Sequence, residues 1–157
     1  MVVFITSDTH FGHPAVAALR GFASCEEHDA RIIEAWNSRV TKHDVVWHLG
    51  DVVWTQRALP TLAKLRGIKK LIIGNHDTIA TKKYLRYFNK VYQGVRKETA
   101  LLTHVPIHPD CFEEKRRWTI NIHGHLHEKE IEDTRYINIC PEKQGYAPIL
   151  LSSIIGD

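Results

Sequence analysis

Short apolar runs rich in Val, Ile and Leu punctuate the chain at Val2–Thr6, Val45–Leu49, Leu71–Ile73, Ala100–Thr103, Ile120–Ile122, Tyr136–Ile139 and Ile149–Ile154. Their length and β-branched content predict strands. Between the early runs the apolar spacing changes to that of a helix. Over Glu26–Val40 it places Ala30, Ile33, Trp36 or Asn37, and Val40 on one face. Ser24 stands as N-cap there, and Glu27 three residues later completes a capping box. Leu59, Leu62, Ala63 and Arg66 repeat the helical period, with Gly67 as the stop. Thr81–Phe88 is a weaker helical segment.

The first half thus alternates strand and helix, while the second half is mostly strands. That order predicts an α/β fold whose sheets are covered by helices. No internal repeat, low-complexity stretch or Pro/Gly/Ser-rich linker divides the 157 residues. One domain spanning 1–157 is expected, a length able to bury roughly two-thirds of its unfolded surface. Polar residues follow the runs in a regular way: Asp8, Asp51, Asn75, His104 and His125 each come just after a predicted strand. Ligands of open α/β sheets bind beyond the carboxyl ends of strands, so five clusters are expected to converge at one rim.

Composition narrows this little, with one exception. The chain is 43% hydrophobic and 25% charged, with a net charge of +3, too small for a polyanion-binding tail. Cys25, Cys111 and Cys140 are odd in number and far apart, which suits reduced thiols in the cytoplasm. No basic start with a long apolar stretch resembles a signal peptide, and no run is long enough to span a membrane. The exception is eleven histidines, since imidazole is the commonest metal ligand.

The chemistry lies in Asp8-Thr9-His10, Gly50-Asp51, Gly74-Asn75-His76-Asp77, His104 and Gly124-His125-Leu126-His127. Asp8 and His10, two apart in extended chain, point the same way and can grip one ion; His125 and His127 do the same. Carboxylate, amide and imidazole together suit Mn²⁺, Fe, Zn²⁺ or Ni²⁺ better than an all-oxygen magnesium site. Gly50, Gly74 and Gly124 are expected to let the backbone turn sharply beside the ligands.

In order and chemistry these five blocks resemble the calcineurin-like metallophosphoesterases, over about three-quarters of the chain. The opening Ser-Asp-Thr-His-Phe-Gly-His, with Ala35-Trp36-Asn37 and His48-Leu49-Gly50-Asp51, is similar to short stand-alone phosphoesterases of bacteria and their phages. The resemblance implies a four-layer α/β/β/α sandwich of two mixed sheets flanked by helices, without a separate cap domain. It implies two divalent metal ions, manganese first among the candidates. Asp8, His10 and His127 would hold one, Asn75, His104 and His125 the other, and Asp51 would bridge them. A hydroxide between the ions would attack phosphorus in line, while His76, the catalytic residue, would stand over the phosphate and assist the leaving oxygen. Asn75 and His76 would both meet the substrate.

Where protein phosphatases of this superfamily carry a second Asp that orients the catalytic histidine, this chain has Trp54, and their arginine is missing. A protein phosphatase is therefore not the expected reading. His13 either touches substrate at the rim or caps the loop before Pro14. His48 and His123 belong to the core or support the ligands, Asp77 shapes its turn, and His28, His43 and His108 read as surface. Lys82–Phe88 interleaves basic and aromatic residues as nucleic-acid surfaces do, but a helix with a solvated basic face is favoured. Lys115-Arg116-Arg117 reads as a solvated loop near the site. The substrate expected is a small or nucleotide-like phosphate ester, a diester before a monoester. A nuclease using the same site is the alternative, with nucleic acid the less favoured partner, and an inactive interaction scaffold is the third.

Overall fold

The computed structural model describes residues 1–112 and 117–156. In chain order its elements are β1 (Val3–Thr6), α1 (Pro14–Leu19), α2 (Cys25–Arg39), β2 (Val45–His48), a 3₁₀ segment (Gln56–Lys64), β3 (Ile68–Ile72), α3 (Thr81–Tyr84) and β4 (Lys90–Tyr92). Then follow β5 (Val95–Lys97), β6 (Ala100–Leu102), a 3₁₀ turn (Pro109–Phe112), β7 (Ile120–His123), β8 (Tyr136–Asn138), α4 (Pro141–Gln144), β9 (Ile149–Leu150) and α5 (Ser152–Ile155).

The strands form two mixed sheets, one in the order β4-β3-β2-β1-β9 and one in the order β5-β6-β7-β8. In the first, β1 to β4 run parallel and β9 is antiparallel to β1. In the second, β6, β7 and β8 are parallel and β5 is antiparallel. Successive side chains of a strand point to opposite faces, and here both faces of the first sheet are covered. Phe4, Val46 and Leu71 face a core shared with Ile32 and Trp36 of α2 and Leu62 of the 3₁₀ segment. Ile5, Trp47 and Ile72 face a second core shared with Leu102, Ile122 and Ile139 of the other sheet. Burial on both faces explains why these strands read as unbroken apolar runs. The result is the expected α/β sandwich of two sheets flanked by helices, and among the described residues no separate cap interrupts it. Among those residues, too, no helix is long and apolar enough to cross a membrane.

Several local expectations are corrected. Gln56–Lys64 is a 3₁₀ segment, not an α-helix. Pro60 inside it cannot donate to an i−4 carbonyl, and its buried leucines, Leu59, Leu62 and Leu65, recur every three residues, the 3₁₀ period. Ala63 and Arg66 are exposed. On α2 the buried face is His28, Ile32, Ala35 and Trp36, with Ala30 exposed. The Ser24 cap holds as expected, its hydroxyl accepting from Glu27 N at 3.1 Å. The final apolar run breaks after Leu150, and its Ile154 and Ile155 pack from α5 against the inter-sheet core. Tyr84 and Phe88 are buried while Lys82, Leu85 and Arg86 are exposed, so that segment is a solvated basic face over an aromatic anchor. Of the basic run, Lys115 and Arg116 lie outside the described residues.

Candidate metal centre

The loops that follow β1 and β2 run side by side, tied by Asp8 N to Gly50 O at 2.9 Å and His10 N to Asp51 O at 3.0 Å. From these loops, and from those after β6 and β7, two groups of side chains converge. Asp8, His10 and His127 form one and Asp51, His104 and His125 the other, each group able to bring its ligand atoms within 4.8 Å of one another. Asp51 Oδ2 stands 3.7 Å from His10 Nε2 and 3.4 Å from His104 Nε2, between the two groups. Asn75 Oδ1 is 2.8 Å from His104 Nε2 and belongs to the second group in space.

The carboxylates are held asymmetrically. Asp8 Oδ2 accepts from His125 N at 3.0 Å and from the Cys140 thiol at 3.4 Å. Among the described residues, Asp8 Oδ1 is buried without any hydrogen-bond partner, as is His10 Nε2. Asp51 Oδ1 accepts from His76 N at 2.9 Å, leaving Oδ2 for the histidines. An unpartnered buried polar atom costs roughly 1–3 kcal/mol. A divalent cation among these atoms removes that penalty, so the donor set fits a metal.

Electrostatics point the same way. Burial pushes the Asp8 and Asp51 carboxyls up, but the neighbouring histidines outweigh it and hold both below the usual carboxylate range. Burial also pulls the His104 imidazole down, and the carboxylates of Asp51 and Asp8 more than reverse it. The ring nitrogens away from the centre are spoken for. His104 Nδ1 donates to Leu49 O at 2.7 Å and His127 Nδ1 donates to Glu142 Oε1 at 2.9 Å, leaving both Nε2 atoms as ligands.

Backbone strain is concentrated here. Asp8, His10, Asp51, His125 and His127 have φ between +46° and +68°, a left-handed region costing a non-glycine residue roughly 1 kcal/mol or more. Of the flanking glycines, only Gly50 has a positive φ, +92°. Gly74 and Gly124 serve close approach instead of a turn, which corrects their expected role. A Cβ on either would lie 2.2 Å from a carboxylate oxygen, of Asp51 and Asp8 respectively.

The other singled-out residues take clear places. His48 is fully buried, its Nδ1 accepting from Gly50 N and its Nε2 donating to Thr9 Oγ1, which donates on to Val52 O. Burial pushes its pKa down to about 3 and keeps it neutral. His123 is buried and donates to Gly124 O. Asp77 accepts from Gly74 N within its own turn, as expected, and also from Asp51 N, Val52 N and Tyr84 Oη, which ties the loops after β2 and β3 together. His13 accepts from Val16 N at 3.4 Å, capping α1, and its ring stands 5.6 Å from that of His10. His76 is exposed, its ring 5.9 Å from His10 and 5.9 Å from Trp54.

Sequence reasoning missed Arg20, Glu142 and the buried state of His28. The Arg20 guanidinium, 2% exposed, donates to Asp8 O, Glu142 Oε1 and His28 Nε2, at 2.8, 2.8 and 2.9 Å. His28 Nδ1 in turn donates to Asp29, which accepts from Gly12 N. Burial raises the Glu142 carboxyl, but His127 and Arg20 bring it down to about 2. No motif marks these residues, because they come from segments remote from the ligands in sequence. Beside His125 and His127 a groove of about 400 Å³ opens between Val16, Leu19, Leu126 and Lys129.

Residues 1–141 match the calcineurin-like phosphoesterase superfamily domain. The Gene 66 protein of Mycobacterium phage D29 is 33% identical over 84% of this chain and 81% of its own length. A solved Aquifex aeolicus protein of unknown function superposes over 98% of this chain and 97% of its own, with TM-score 0.75 and 24% identity. A structure described as a novel archaeal phosphodiesterase covers 88% of this chain and 82% of its own, with TM-score 0.53 and 22% identity. The two structures establish likeness of fold, and the match to the family domain establishes kinship. The chain belongs to the calcineurin-like phosphoesterase superfamily and is a metal-dependent phosphoester hydrolase.

Proposed function

We propose that this enzyme is a two-ion phosphodiesterase acting on small, nucleotide-like esters. The observation that carries the reading is the position of Asp51 Oδ2 between His10 Nε2 and His104 Nε2, a single carboxylate oxygen shared by two ligand groups. Asp8, His10 and His127 would hold the first ion and Asn75, His104 and His125 the second, with the Asp51 carboxylate facing both. The mixed oxygen and imidazole set suits Mn²⁺, Fe, Zn²⁺ or Ni²⁺, and the family resemblance puts Mn²⁺ first. When bound, the pair supplies polarisation of the phosphoryl oxygens and a lowered pKa for water held between them.

The chain's own residues do the rest. Asn75 contributes an amide oxygen without negative charge, which leaves the centre positive enough to draw an anion. His76, fixed at its backbone by Asp51 and exposed at its ring, gives a proton to the departing ester oxygen. The strained loops hold the ligands ready before substrate arrives, so little reorganisation is required. The diester preference rests on room: an uncovered rim and the groove beside His127 accept an ester arm on each side of phosphorus.

Steady-state hydrolysis of bis-p-nitrophenyl phosphate and p-nitrophenyl phosphate with Mn²⁺ tests this. The expected kcat/KM is higher for the diester. His76→Ala should lower kcat about 10²–10⁴-fold, the usual yield of a general acid, with bound metal unchanged. Turnover of neither ester with any of the four metals sinks the reading, and a monoester preference turns it into a phosphatase.

A further inference from the structure

Trp54 occupies the position at which the protein phosphatases of this superfamily carry an orienting carboxylate, and its surroundings give it other work. Trp54 is 44% exposed, although Val52 and Val53 just before it are buried. Its backbone is fixed: Trp54 N donates to Phe11 O at 2.9 Å, and Val53 is bridged to Phe11. One side of the indole is backed by the His13 ring, with centroids 3.8 Å apart and planes 31° apart. His13 is itself held by capping α1. His76 meets the indole at 5.9 Å, and both His13 and His76 contact the ring of His10. The four rings close a circle that contains the buried candidate ligand His10 and the exposed His76 and Trp54.

A solvent-facing indole is a costly ornament, since an aromatic ring that size contributes most when buried. Here it is braced on a rigid backbone one ring away from the place a phosphate would occupy. Flat aromatic groups stack on such surfaces regardless of their hydrogen-bonding edges, a contact measured at about 1–3 kcal/mol per nucleobase. An aryl ester carries its ring one oxygen from phosphorus, and a nucleoside 5′-phosphate carries its base a sugar's width further. We infer that Trp54, backed by His13, is the shelf on which the aromatic arm of the substrate stacks, making this enzyme selective for nucleoside and aryl phosphate esters over alkyl ones. The inference rests on the phosphoesterase reading for the location of the phosphate. It assigns Trp54 to specificity, and leaves the chemistry to the ligands and His76.

Calorimetric titration of the manganese-loaded protein tests it without depending on turnover. Adenosine 5′-monophosphate and methyl phosphate carry the same phosphate and differ in the arm. The wild type should bind the nucleotide roughly 5- to 100-fold more tightly, the ratio that such stacking converts to. Trp54→Ala, at an exposed position outside both cores, should bring that ratio to about one while leaving the methyl phosphate Kd unchanged. Trp54→Phe should keep most of the preference. The inference is overturned by a ratio near one in the wild type, by a preference that survives Trp54→Ala, or by both affinities falling together, which would make Trp54 a support for His76. Hydrolysis of bis-p-nitrophenyl phosphate, followed on the same samples, separates the two readings. Stacking without hydrolysis leaves the shelf standing and removes the esterase, and hydrolysis without a nucleotide preference does the reverse.

Discussion

At the scale of single residues, the candidate ligand histidines depend on partners that carry no motif. Glu142 accepts from both His127 Nδ1 and Arg20 Nε, and Arg20 also holds the carbonyl of the strained Asp8. A carboxylate behind a ligating imidazole fixes which nitrogen faces the metal and raises its basicity. Glu142→Gln keeps the shape and removes the charge. Its expected effect is a 10- to 100-fold weaker hold on one of two ions, read by metal titration against a competing chelator. Equal affinities in both forms would show that Glu142 serves packing alone. The candidate ligands were legible because each is an Asp, Asn or His placed soon after an apolar run. Arg20 and Glu142 were not, since their positions become neighbours only when α1, α4 and the loop after β7 close on one another. His28 was misplaced for a related reason: the spacing of Ala30 and Ile33 suggested one face of α2, while the bonds of His28 to the buried Arg20 side chain and to the partly buried Asp29 drew the adjacent face inward.

At the scale of elements, what was legible was the strand. Runs such as Val45–Leu49, apolar on both faces, can lie only between two cores, and that is where β2 lies. The short, charged β4 and β5 carry no such signal, and the 3₁₀ segment was hidden because Leu59 and Leu62 satisfy both a three-residue and a helical period. The entrance to the parallel strands is tied by a residue that motif reading passes over. The Asp44 carboxylate accepts from Val2 N at 2.9 Å and from Thr41 N and Oγ1 at 2.9 and 2.7 Å, while its carbonyl accepts from Ile68 N at 2.7 Å. Chiefly through the Thr41 hydroxyl, its pKa falls from 3.8 to about 2. A depressed folded-state pKa means that the stabilisation is complete above the unfolded value and lost as pH falls through the folded one. The Tm of metal-free protein should therefore drop between about pH 4 and pH 2. Asp44→Asn should lower the Tm at neutral pH and flatten that acid limb, and an unchanged acid limb would assign it to other carboxylates.

At the scale of the whole molecule, the parallel strands of the two sheets send their carboxyl ends to one rim, and function follows from that convergence. The order of polar clusters after strands made the rim legible before the topology was known. What it could not convey was the cost: five ligand residues in left-handed backbone and buried polar atoms left without partners. One cation among Asp8, His10 and His127 would answer those of Asp8 and His10, and the second ion of the proposed pair rests on Asp51 facing both groups. The most direct measurement is the rate of bis-p-nitrophenyl phosphate hydrolysis as metal-stripped protein is titrated with Mn²⁺. A rate that climbs from near zero and levels at two ions per chain is the predicted result. A rate indifferent to added metal, or one already complete at a single ion, would contradict the shared position given to Asp51.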